Sequence, residues 1–184
     1  MYGMINKAVK DMVLKDFGAS KWSEIMQISQ VSEDSFLTLR IYDDDVTYSL
    51  VGAAADVLEL PVDQVLDAFG VHWVMHAAPE HYDQILIATG NELIEFLKNV
   101  NGLHDRITTT FVDYRPPWFE LEHISEKEFK LHYHSGRSGL SSFVRGLIRG
   151  LGQRFETSVE FVDVQPQEVA SGEHTTFHVK CATN

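Results

Sequence analysis

The sequence predicts an α+β fold: a helical N-terminal part, about residues 1–112, packed on a C-terminal antiparallel sheet, about residues 113–184, with one helix crossing that sheet. Two observations carry this. Up to Phe111 the apolar residues recur at spacings of three and four, as on the buried face of a helix; beyond Arg115-Pro116-Pro117 they alternate, as on half-buried strands. The later elements then run strand, strand, helix, strand, strand, an order that favours an antiparallel sheet with a helix laid across it. At 184 residues the chain suits one domain with ample core, and no linker or repeat interrupts it.

Each element has a local reason. Met4, Ile5, Val9, Met12, Val13 and Phe17 form the first helical stripe, with Gly18 as its stop. Ser20 is placed to cap a short helix containing Trp22, Ile25 and Met26. Residues Val31 to Tyr42 carry no clear period. Asp43, Asp44 and Asp45 then suit the start of a helix running through Leu58, since acids favour the positive end of the helix dipole. Pro61 fits the first turn of a helix from Val62 to about Ala77. A short helix from Asp83 to Ala88 stops at Gly90, and Asn91 caps the long helix to Phe111, striped by Leu93, Ile94, Leu97, Val100, Leu103 and Ile107. Strands are expected at Trp118–Ile124, Glu128–Ser135, Ser158–Gln165 and Thr175–Cys181, and a helix at Leu140–Phe155.

Composition excludes several functions. A hydrophobic content of 44% with ordinary Gly and Pro counts marks a folded protein. The net charge of −12 speaks against nucleic acid and against anionic membrane surfaces, both of which need clustered Lys and Arg. The single cysteine, Cys181, allows no intrachain disulfide and suits a reducing cytoplasm. No signal peptide is evident, and no run nears the ~18 apolar residues of a membrane span. His72 and His76 have the four-residue spacing of a metal pair but no third ligand nearby. Asp43 to Asp45 lack the alternation and Gly of a calcium loop. There is no Gly-rich phosphate loop and no located catalytic set.

Two features point to a ligand. In KLHYHSGRSG, read as an extended strand, Tyr133, Ser135 and Arg137 fall on one face and offer two hydroxyls and a guanidinium fork, suited to a carboxylate. A solvated strand face would alternate in the same way. His104 lies at the margin of the long helical stripe. It is either a satisfied, partly buried histidine or a neutral imidazole facing an apolar cavity, as axial ligation of haem iron requires. Haem carries two propionates, which the donor face 29 residues later would suit.

These residues fall within blocks that resemble the haem-nitric oxide/oxygen binding (H-NOX) family, and within it the haem domain of the soluble guanylate cyclase beta subunit. The blocks run nearly end to end: MYGMINKAV, YDDDVTY, LVGAAADVL, AFG at 68–70, EFLKNVNGLHDRI, RPPWF, LHYHSGRSGL and EHTTFHV. The resemblance implies a haem b, held without covalent attachment since no CxxCH is present, between the helical and sheet parts. It makes His104 the iron ligand, Tyr133, Ser135 and Arg137 the propionate anchor, and Pro117 a stiff element pressing on the macrocycle. Ile5, Val9, Trp73 and Phe143 become the distal wall.

Members of that family that hold dioxygen carry a tyrosine on the helix after the Y-x-S-x-R strand; aligned through Gly146, the position here is Phe143, which has no hydroxyl. The resemblance therefore implies a non-catalytic sensor of nitric oxide, able also to take carbon monoxide, with a dioxygen carrier as the alternative. The expected partner is an effector protein: a histidine kinase, a cyclic-di-GMP enzyme or a cyclase. No kinase or cyclase motif follows in the sequence.

Overall fold

The structure is a computed structural model and describes residues 1–32, 35–111, 113–167 and 169–183. Glu33 and Asp34 of the segment without clear period, and Val112 at the expected joint of the two parts, lie outside the described residues. Helices α1 (Gly3–Asp16), α2 (Ala19–Ser29), α3 (Asp44–Leu58) and α4 (Val62–His72) build the N-terminal part. A π-helical turn (Trp73–Ala77), α5 (Ala78–Ile87) and α6 (Leu93–Thr108) complete it. Strands β1 (Trp118–Ser125) and β2 (Glu128–Ser135), helix α7 (Ser141–Arg154), and strands β3 (Thr157–Gln167) and β4 (Glu173–Thr183) follow. The strand order is β1-β2-β4-β3, antiparallel throughout, as the alternation and the position of the intervening helix predict. Pro166 sits in β3, an edge strand, where a missing N–H is tolerated.

Several ends differ from the sequence expectation. Phe17 is 45% exposed and follows α1, so it lies off the buried stripe. Gly18, at φ 87°, precedes α2 and takes the cap position expected of Ser20. Pro61 stands one position earlier than expected, at the cap of α4. The helix expected from Val62 to Ala77 is α up to His72 and then widens into the π turn. The following helix starts at Ala78, with a proline in its first turn, and kinks at Tyr82 (φ −131°, ψ 16°). Asn91 does not cap α6; its backbone N–H instead donates to the Glu95 carboxylate at 2.8 Å.

The core forms two clusters. One lies among α1 to α4; the other joins α6 and α7 to the inner face of the sheet through Phe129, Leu131, Phe177, Val179 and Ile148, each at most 1% exposed. Burying a side chain of this kind is worth about 1.5–3 kcal/mol. Trp73, in the π turn, packs against both clusters. Helices α4 and α7 touch backbone to backbone: a Cβ on Gly146 would run into the Asp67 carbonyl, and one on Gly70 into that of Phe143. The buried Asp67 carboxylate locks the same contact, taking hydrogen bonds from Arg145 Nε at 2.9 Å and from Arg149 Nη1.

Candidate cofactor site

A cavity of about 290 Å³ lies between the helical part and the inner face of the sheet. Ile5 of α1, Trp73 of the π turn, and Phe143 and Leu147 of α7 line it, with Val100 and His104 of α6 and Leu131 and Tyr133 of β2. Its wall is largely apolar, and its polar groups are few, as in a typical cofactor pocket.

His104 forms part of that wall. Its Nδ1 is inaccessible to solvent and has no hydrogen-bond partner among the described residues. Burial pushes its pKa from 6.5 down to about 4; the backbone carbonyl of Pro117 works weakly the other way without reaching hydrogen-bond geometry. Tyr114 and Phe119 flank the ring, each with a centroid 6.0 Å away. The imidazole is therefore neutral at neutral pH, the form in which histidine ligates a metal. Helix α6 is fixed against the sheet by Asn101, whose side-chain amide donates to the Phe119 carbonyl at 2.6 Å and accepts the Phe119 N–H at 3.0 Å. Pro117 lines the cavity beside this contact.

Tyr133, Ser135 and Arg137 all reach the same cavity, but not from one strand face. Strand β2 ends at Ser135, and Arg137 lies in the bend beyond it. The Ser135 hydroxyl holds that bend by accepting the Arg137 backbone N–H at 3.0 Å. Burial raises the Tyr133 phenol to about 12, against the opposing effect of its bond with Ser135, so it stays a neutral donor. The Arg137 guanidinium binds the Asp44 carboxylate through Nε at 2.7 Å and Nη2 at 3.4 Å, and the Arg115 carbonyl through Nη1 at 3.1 Å. Burial alone would raise the Asp44 pKa, but Arg137 and the Met1 ammonium hold it below its ordinary value.

Of the expected distal residues, Ile5, Trp73 and Phe143 line the cavity. Val9 does not: one turn beyond Ile5 on α1, it is fully buried inside the helical cluster. Phe143 stacks on Phe69 with centroids 5.0 Å apart. Sequence reasoning misses Asp44, Asn101 and Tyr114 at this site. Their roles depend on contacts with distant elements, and no local spacing marks them. His72 and His76 approach each other at 5.1 Å, but His76 Nε2 accepts from Lys15 Nζ at 2.8 Å. No three potential metal ligands converge among the described residues.

A neutral imidazole with an unpaired nitrogen, an apolar cavity and a phenol, alcohol and guanidinium on its margin make a donor set that fits haem.

Comparison with known proteins agrees. The chain is 30% identical over 168 residues to soluble guanylate cyclase gcy-31 of Caenorhabditis elegans, covering 90% of this chain and 24% of the relative. It is 31% identical over 189 residues to soluble guanylate cyclase gcy-37 of the same organism, covering 98% and 27%. The chain thus spans about a quarter of the length of these curated relatives. Its fold matches an H-NOX protein from S. oneidensis in the Fe(II) state, with a TM-score of 0.85, 19% identity, and 100% and 97% of the two chains covered. It also matches the unliganded Fe(II) H-NOX protein from K. algicida, with a TM-score of 0.81, 21% identity, and 100% and 98% covered. The sequence model described as Haem-NO-binding matches residues 2–163, and the chain belongs to that family.

Proposed function

We propose that residues 1–184 act as one haem-based sensor domain for nitric oxide, without catalytic activity of their own, that signals to an effector protein. The observation that carries this reading is His104: a neutral imidazole with an unpaired buried nitrogen on the wall of an apolar cavity. In this reading His104 holds the iron. Tyr133, Ser135 and Arg137 hold the propionates, and Pro117, Ile5, Trp73 and Phe143 form the walls. Haem b bound there supplies a ferrous centre that takes nitric oxide or carbon monoxide.

The protein's own contribution is selectivity and transmission. Phe143 offers no hydroxyl to a gas ligand, which disfavours dioxygen. Asn101 couples α6, and with it His104, to the backbone of β1, so a change in the restraint on His104 is felt by the sheet. A two-state element biased by a ligand is what a sensor needs. The relatives named as guanylate cyclases favour a cyclase as the effector, ahead of a histidine kinase or a cyclic-di-GMP enzyme.

Dioxygen binding is the second reading, because Trp73, which carries an indole N–H, also lines the cavity. Absorption spectra of the reduced protein in air and under nitric oxide decide between them. The first reading expects no stable dioxygen spectrum in air and a large shift with nitric oxide; a persistent dioxygen spectrum selects the second.

A further inference from the structure

The face of the sheet turned away from the cavity carries four histidines: His132 and His134 on β2, His174 and His178 on β4. Two are already engaged. His132 Nδ1 pairs with Thr176 Oγ1 at 3.0 Å and its Nε2 with Glu122 at 3.3 Å, while His178 Nε2 pairs with Glu128 at 2.7 Å. The other two, His134 and His174, are direct cross-strand partners whose rings stack with centroids 3.9 Å apart and 25° between planes. His174 Nε2 is inaccessible to solvent and has no hydrogen-bond partner among the described residues.

We propose that His134 and His174 form a binding site for a borderline divalent transition-metal ion such as Zn²⁺ or Cu²⁺, on the sheet face opposite the cavity. Imidazole nitrogen suits these ions, and a cross-strand pair held in register by the β2–β4 ladder is preorganised to chelate. Chelation requires the two rings to turn out of their stack so that one nitrogen of each faces a common ion. No third protein ligand converges among the described residues, so water completes the coordination. The site lies back to back with Tyr133 and Ser135, which flank His134 on β2 and turn to the inner face.

Calorimetric titration of the cofactor-loaded protein with ZnCl₂ near neutral pH tests this. One site is expected, weakened about a hundredfold in both His134→Ala and His174→Ala, since each loses the second arm of the chelate. His178→Ala should bind as the parent does. Cu²⁺ bound at one equivalent should show two imidazole nitrogens by electron paramagnetic resonance, and lower pH should release it as protons compete. If His174→Ala does not fold, His134→Ala and the copper spectrum decide. Absence of a Zn²⁺ site, parent-like affinity in His134→Ala, an equal loss in His178→Ala, or coupling to a single nitrogen would each overturn the proposal.

Discussion

Arg137→Ala separates ligand anchoring from fold stability. In the structure the guanidinium serves Asp44 and the Arg115 carbonyl, with the side chains of Arg137 and Asp44 26% and 36% exposed. An ion pair this open to solvent contributes at most about 1 kcal/mol to folding. A charge-assisted bond from the same guanidinium to a propionate is worth about 1.5–3 kcal/mol, or roughly ten- to hundredfold in affinity. Haem transfer to an excess of a scavenging apoprotein should therefore be about ten to a hundred times faster from Arg137→Ala than from the parent. Urea unfolding of the haem-free variant should shift by no more than about 1 kcal/mol. Ser135→Ala should lose haem more slowly than Arg137→Ala, because it removes a neutral donor. Asp44→Asn, which leaves Arg137 in place and frees its fork, should retain haem at least as well as the parent. Unchanged haem transfer in Arg137→Ala, or a loss of stability as large as the loss of affinity, would refute the reasoning and make Arg137 a structural tie between the two parts.

Three further outcomes are expected. Phe143→Tyr places a hydroxyl on the cavity wall and should confer some persistence of a dioxygen spectrum in air; no change would mean the hydroxyl points away from the ligand. Pro117→Ala should alter the reduction potential while haem content stays within about twofold, since distortion tunes haem electronics and the ligand and anchor residues remain; an unaltered potential would reduce Pro117 to a connector. In the haem-free protein, burial holds His72 and His104 at about 4, below the ordinary 6.5. The unfolded chain then takes up protons first, so the stability present above pH 6.5 should fall as pH drops toward 4. Urea midpoints that stay flat between neutral pH and about pH 5, where most carboxylates remain ionised, would contradict those buried neutral rings.

What is legible in the sequence follows from periodicity. The α6 stripe from Leu93 to Leu103 and the alternation of Phe129, Leu131 and Tyr133 report burial directly; β2 forms at its expected residues, and α6 forms within its expected span but ends at Thr108 rather than Phe111. The π turn at Trp73–Ala77 leaves no such mark, because one widened turn barely disturbs a helical period. The alternation of Tyr133, Ser135 and Arg137 reads as one extended donor face; only the Ser135–Arg137 bond shows that the backbone bends once β2 has ended. Val9 shares a helical face with Ile5 in the sequence, yet it turns into the helical core rather than the cavity, a distinction set by how α1 packs on its neighbours. Asp44 and Asn101 act on residues far along the chain, Arg137 and Phe119, and nothing in their local sequence reveals those partners.

The most direct test of the central claim is the absorption spectrum of reduced His104→Gly, with and without free imidazole. If His104 is the protein ligand to the iron, the variant should lose haem or show an altered ferrous spectrum, and imidazole should restore the parent spectrum by occupying the space the ring vacates. A parent-like ferrous spectrum from His104→Gly without imidazole would show that another residue holds the iron and would contradict the account.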